Sequence, residues 1–316
     1  MKKFEEIEII NPANHHVHLR EGRMLGFTSL FNHIFSIVVA KPNLEKPVID
    51  AKGYNKYYNE ELPWYPIPQV IGGIMMTPDT TAETIEEAYR CGARFVANIP
   101  EGVSTNSNGI QLVALTKSSS MAIYDCISKL EMPLLLHVQS KFNVNLSETE
   151  LKCFFSSIEM IKYNFPKLKI SIEHPNLKEL IDFIIETPGV TGGIAPHYCL
   201  YTTNAVFGFE GRVLRPEIFC QPPYGCDKDR MAIIYAMMYP CRGSERKFRY
   251  AADDAPQFIS NKKGGNPASG VFSGPVGPCV LAEIAEKFGK LDSLPNLITY
   301  DEEFFGIPLD KPGKTI

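Results

Sequence analysis

The sequence predicts one (β/α)8 barrel over residues 1–316. Three observations predict it. Short apolar or β-branched runs alternate along the chain with stretches of helical periodicity, the pattern of parallel βα units. Residues of metal-ligand type stand at the C-terminal ends of several of those runs, the rim where barrels carry their chemistry. A doubly wound open sheet, the competing architecture, would be favoured by a Gly-rich phosphate loop after an early strand, and neither GxGxxG nor the Walker pattern occurs.

Taken in order, "FEEIEII" reads as the first strand and is followed by "NHHVHLR" (14–20), which holds three of the chain's seven histidines. "FSIVVA" (35–40) is the second and leads to Asn43; "QVIGGIMM" (69–76) is the third. "TAETIEEAYRCG" (81–92) is a helix, with a threonine start, an acidic first turn and a closing glycine. "ARFVANI" (93–99) is the fourth strand, and "PLLLHV" (133–138) is the fifth, with His137 near its end. The helical spacing of "ETELKCFFSSIEMIKYNF" (148–165) separates it from "LKISIEH" (168–174), the sixth, which ends on His174. "NLKELIDFIIET" (176–187) is helical again. "GVTGGIA" (189–195) and "KFRYAAD" (247–253), ending on Asp253, complete eight strands. No repeat at 20–50 residues and no low-complexity linker divides the chain.

Composition excludes several classes. Hydrophobic residues at 44% and charged residues at 22% describe a globular chain, and a net charge of −4 gives no ground for nucleic-acid binding. No apolar run reaches the ~20 residues of a membrane helix. The eight cysteines form no CxxC pair, so they read as small buried hydrophobes of a reduced chain rather than a zinc knuckle. "MKKFEEIEIINP" has acids where a leader would have its apolar core, so a cytoplasmic protein is expected.

In an extended segment residues two apart face the same way, so His16 and His18 point together, about 6–7 Å apart along the strand, and can bite one divalent ion. His15 points with Val17 and is not expected to be a ligand. A lone HxH equally suits a polar network without metal. The three further ligand types at the same rim, His137, His174 and Asp253, favour the metal.

"HVHLREG" followed by "AKPNL" resembles the dihydroorotases of the amidohydrolase superfamily, most closely the bacterial single-domain type. "MPLLLHV", "LKISIEH", "RPEIFCQPP", "AADDAP" and "GVFSGPV" are similar to that family's segments and follow its order, from about residue 9 to residue 308. The resemblance implies that His16, His18 and Asp253 hold a first, buried zinc ion and that His137 and His174 serve a second, with a carboxylated strand-4 lysine bridging the two. It implies Arg20 and Asn43 as the grip on a substrate carboxylate, and Ser104 and Thr105, in the loop "VSTNSNG", as substrate contacts. It makes Asp253 the proton carrier in the reversible closure of N-carbamoyl-L-aspartate to dihydroorotate, a step of pyrimidine biosynthesis.

The chain departs from that pattern at the site. The strand-4 lysine is replaced by Ala97, or by Asn98 if one residue is skipped, and no lysine occurs between Lys56 and Lys117. Glu101, beyond the proline, would have to fold back to act as a substitute bridge. Gln257 stands where the family has a histidine that contacts the substrate carboxylate; it can still donate a hydrogen bond but carries no charge. Gln139 and Asn14 stand where the family has acids. The expectation is therefore a zinc-dependent cyclic amide hydrolase with one zinc per chain rather than two, acting on a small-molecule substrate and binding neither nucleic acid nor membrane. A homodimer is expected. The alternatives are an impaired or inactive homologue with a structural role, for example beside aspartate transcarbamoylase, and an amidohydrolase of shifted substrate.

Overall fold

The structure, a computed structural model, describes residues 6–310 and 314–316 except 105, 142, 144, 209–210, 264–265 and 275. Its parallel strands are β1 (Ala13–Val17), β2 (Ile37–Ala40), β3 (Gln69–Ile71), β4 (Ile74–Met75), β5 (Val96–Asn98), β6 (Leu134–His137), β7 (Ile170–Glu173), β8 (Val190–Ile194) and β11 (Phe248–Tyr250). Two parallel ladders run β1-β2-β3 and β11-β8-β7-β6-β5-β4. One continuous stretch belongs to both: β3 pairs with β2, β4 pairs with β5, and Gly72–Gly73 carry the chain between them. The other seam, between β1 and β11, is crossed by a single parallel bridge, Val17 to Asp254, where the His18 amide donates to the Asp254 carbonyl at 2.9 Å. With β3 and β4 counted as one strand, the ring has the eight parallel members that the sequence predicts.

Side-chain alternation sorts the core into layers. Ala13, Ile37, Val39, Ile71, Phe95, Ala97 and Leu135 form the inner cluster, together with Tyr300, Phe304 and Phe305 from the C-terminal segment. Their sequence neighbours, such as Val38, Val96, Leu134 and Leu136, join the larger cluster outside the ring with the helices. Helix Glu148–Asn164 opens with a complete capping box between Ser147 and Glu150, and helix Ala82–Arg90 begins at Thr81, whose hydroxyl accepts the Thr84 amide. A π-helical stretch, Asn55–Glu61, presents Tyr57 and Tyr58 to the rim; their hydroxyls donate to the carbonyls of Arg20 (2.7 Å) and Ala40 (2.8 Å). No helix among the described residues is long and apolar enough to cross a membrane.

The first strand differs from the sequence reading. It contains His15 and His16 instead of preceding them, and residues 6–9 lie outside any strand. The alternation of exposed Glu6 and Glu8 with Ile7 and Ile9 is real, but its partner is the C-terminal segment: Ile9 and Ile316 exchange backbone hydrogen bonds at 2.9 and 3.1 Å. A small antiparallel pair, β9 (Cys241–Arg242) with β10 (Glu245–Arg246), precedes the last barrel strand and has no signal in the pattern of apolar runs.

Candidate metal centre

His16 lies in β1 and His18 just past it, while Asp253 follows β11, so the bridge that closes the ring also brings the three together. Asn14 supports that seam, its side-chain oxygen accepting from the amides of His16 (3.3 Å) and Ala252 (2.9 Å). The β1 register is irregular between Asn14 and Val17, so simple alternation fails there. His15 does not share an environment with Val17. It stacks on Tyr300 and Phe305 of the inner cluster, and its Nδ1 lies 2.8 Å from the Tyr250 carbonyl.

The donor atoms of the three residues form a nearly equilateral triangle. His16 Nε2 is 3.2 Å from His18 Nε2 and 3.3 Å from Asp253 Oδ1, and His18 Nε2 is 3.4 Å from Asp253 Oδ1. Ligand atoms bound tetrahedrally at zinc's ~2.0–2.1 Å are themselves ~3.3–3.4 Å apart. The donor set thus fits one tetrahedral divalent ion with a position to spare. Among the described residues this is the one group of three or more such donors within reach of a single ion.

The electrostatics of the two imidazoles suit ligation. Burial, followed by the charge of Lys41, holds His16 well below the ordinary imidazole range; burial and then Arg20 do the same for His18. Both rings are therefore neutral and have a lone pair to give. Burial and the neighbouring Glu173 push Asp253 well above the ordinary carboxyl range. His16 Nδ1 lies 2.6 Å from Glu173 Oε2, an arrangement that leaves Nε2 as the donor toward the triangle.

His137 and His174 stand beside this group. Their ring centroids are 4.7 Å apart, and His174 is 5.2 Å from His16. His137 Nε2 is already engaged by Gln139 Oε1 at 2.9 Å, and Gln139 in turn donates to Gln221. Burial lowers His137 to about 4. Arg20, His174 and Asp253 all take positive φ (66°, 35° and 47°), a costly backbone for non-glycine residues and one that concentrates at sites.

A pocket opens over these groups and is lined by His16, His18, His137, His174 and Asp253 together with Arg20, Asn43, Ser104, Ala97, Lys41 and Glu173. Arg20 donates from Nε to the Pro256 carbonyl at 3.1 Å, and Asn43 is buried with its side-chain oxygen unpaired. Thr105 lies outside the described residues. Gln257, expected on the substrate, is turned away: it donates to the Ser269 carbonyl at 3.0 Å and lines a neighbouring apolar groove. An uncharged amide is satisfied by that carbonyl.

Of the two candidates for the lysine position, Ala97 faces the cavity. Asn98 is tied to the loop beyond, exchanging hydrogen bonds with the Ile110 backbone at 2.8 and 3.0 Å. Glu101 is exposed and pairs with Lys141, so it forms no bridge. The sequence reading missed Lys41, Glu173 and His197. Lys41, two residues before Asn43 at the end of β2, is fully buried and ion-paired with Glu173. His197 is buried with its Nε2 3.9 Å from Asp253 Oδ2. A lysine or acid beside an identified strand-end residue was the available signal. Cys220, by contrast, is buried against Tyr198, and burial pushes its thiol to about 12, so it is no nucleophile.

No family model matches the chain. A dihydroorotase of Helicobacter pylori (strain HPAG1) is 29% identical over 297 residues, spanning 93% of this chain and 84% of its own length. The solved structure of a dihydroorotase from Campylobacter jejuni superposes with a TM-score of 0.82 at 23% identity, over 99% of this chain and 88% of that one. A dihydroorotase from Saccharomyces cerevisiae, solved in complex with 5-fluoroorotic acid, gives a TM-score of 0.81 at 22% identity over 95% and 86%. The resemblance read from the motifs therefore holds: the chain is similar to dihydroorotases over nearly its whole length and shares the barrel fold of the solved ones.

Proposed function

We propose that this chain is a hydrolase of cyclic amides that interconverts dihydroorotate and N-carbamoyl-L-aspartate, with one divalent metal ion, zinc by donor type, held by His16, His18 and Asp253. The observation that carries the reading is the triangle of donor atoms with 3.2–3.4 Å edges at the floor of the cavity. When bound there, such an ion supplies Lewis acidity, polarising an amide carbonyl and acidifying water.

The chain's own residues supply the rest. Arg20 offers the forked guanidinium that matches a carboxylate, and Asn43, buried in the same pocket with its side-chain oxygen unpaired, is its partner in the grip. Asp253, raised by burial, takes the proton of the attacking water and delivers it to the ring nitrogen as the carbon–nitrogen bond breaks. Water is the nucleophile and the ring nitrogen the leaving group. His137 and His174, neutral and beside the same floor, are placed to hydrogen-bond the substrate.

The test is ring opening of dihydroorotate by chelated and zinc-reloaded protein. Turnover is expected in the reloaded sample alone. Arg20→Ala is expected to raise KM for dihydroorotate by about 10–100-fold, as loss of a charge-assisted grip of ~1.5–3 kcal/mol would, and to leave a ring amide without a carboxylate, such as hydantoin, unaffected. A homologue with an assembly role is the second reading, favoured by Ala97 at the lysine position and by Gln257 turning away. Zinc binding without turnover on either ring would select it.

A further inference from the structure

Among the buried groups that the mechanism leaves unused is Lys41. Lys41 directly follows β2, and it lines the pocket from a strand that is not the expected source of a lysine. Its ammonium passes 5.3 Å above the centroid of Phe95, on the same face of β5 as Ala97, and ends on Glu173 at the end of β7. Ala97, with a single methyl, leaves that path open; a longer side chain there would enter the same cavity. Glu173 is thus shared between Lys41 and His16 Nδ1.

We propose that Lys41 is the site's second cation: paired with Glu173, it occupies the electrostatic place of a second metal ion and keeps the centre at one ion. The inference rests on the reading of His16, His18 and Asp253 as the holders of the first. Three features converge on it. The second group offers two neutral imidazoles, one of them already engaged by Gln139. The carboxylate nearest to that group, Glu173, is neutralised by the Lys41 pair. And the Lys41 ammonium, held on the carboxylate that also touches His16, stands where a second divalent ion beside His174, whose ring lies 5.2 Å from that of His16, would meet it at short range. A lysine from another strand thereby replaces the bridge by a different principle, supplying the positive charge itself instead of an anion to hold a metal.

The competing chemistry is carboxylation of Lys41: its neutral amine would attack carbon dioxide, form a carbon–nitrogen bond and lose a proton, giving an anionic bridging carbamate. The two are separated by zinc titration of the metal-free full chain, with stoichiometry read by native mass spectrometry, and by carbon-13 NMR in labelled bicarbonate. The wild type is expected to bind one zinc and show no carbamate resonance. Lys41→Met, and Lys41→Gln as a second neutral variant, are expected to bind a second zinc at least about tenfold more tightly than the wild type does. Lys41→Arg, which keeps the charge and cannot carry the carbamate, is expected to stay at one. A carbamate resonance in the wild type that vanishes in Lys41→Arg overturns the proposal, as does second-site affinity unchanged in folded Lys41→Met or Lys41→Gln. A wild type that binds no zinc at all sinks the underlying metal assignment, which the first isotherm shows before any variant is made.

Discussion

Two histidines one residue apart carry opposite roles here, and their surroundings decide which. His16 turns Nε2 toward His18 and Asp253, while His15 lies against Tyr300 and Phe305 with its Nδ1 on the Tyr250 carbonyl. Burial, followed by Arg249, lowers His15 to about 3. Its folded pKa therefore lies below its unfolded value, and between pH ~6.5 and ~3 the unfolded chain holds a proton that the folded chain refuses, so stability is lost as pH falls through that window. In the metal-free protein, His15→Phe, which keeps the stack, is expected to make the fall in urea midpoint with acid shallower by up to one proton, about 1.4 kcal/mol per pH unit. Equal slopes would refute the assignment. Asp253→Asn removes the triangle's only anionic donor and is expected to weaken zinc by about 100-fold or more, read by competition with a chelator. That His16, His18 and Asp253 come together was legible in the sequence because strand-end histidines and an acid are rare enough to stand out. Lys41 was not, because a lysine before a proline in "AKPNL" looks like a solvated strand end, and only the cavity left by Ala97 shows where its side chain goes.

At the scale of elements, the third barrel strand shows what a hydrophobic run can hide. "QVIGGIMM" reads as one strand, yet it is two short ones, because its middle is pressed against neighbours that admit no side chain. A Cβ on Gly73 would sit 2.4 Å from the Phe95 carbonyl oxygen, and one on Gly72 2.6 Å from the Tyr58 ring. Phe95 is also the ring beneath Lys41, so this contact supports the site. Gly73→Ala is expected to cost about 1–3 kcal/mol in urea denaturation, since the clash is with backbone that cannot step aside. Gly26→Ala is the control. It lies within helix Gly22–Phe31, its Cβ would meet only ordinary contact at 3.6 Å, and a gain of roughly 0.5–1 kcal/mol is expected. The helices at 82–90 and 148–164 matched their periodicity because caps and spacing agree, and the helix at 178–186 matched on its amphipathic spacing alone. The first strand did not, because alternation reports that a segment is extended and not which partner it pairs with.

For the whole molecule, the ring is closed at the seam where the chemistry sits and filled from below by the C-terminal segment. Tyr300, Phe304 and Phe305 complete the inner cluster, and Arg249 fastens them, donating from Nε to Asp301 at 2.7 Å with its guanidinium 4.0 Å from the Phe304 ring centroid. Phe305→Ala should cost about 3–5 kcal/mol, seen as a lower urea midpoint without change in zinc stoichiometry. Because the triangle spans the β1–β11 seam, an ion held by it would bind only the closed ring, and zinc at 100 times its dissociation constant is expected to add about 2.7 kcal/mol of stability. The most direct measurement of the one-metal centre is anomalous diffraction above the zinc edge from crystals of the zinc-loaded protein. One peak is predicted, ~2.0–2.1 Å from His16 Nε2, His18 Nε2 and Asp253 Oδ1, with Lys41 unmodified on Glu173. Two peaks bridged by a modified Lys41, or no peak at the triangle, would contradict it.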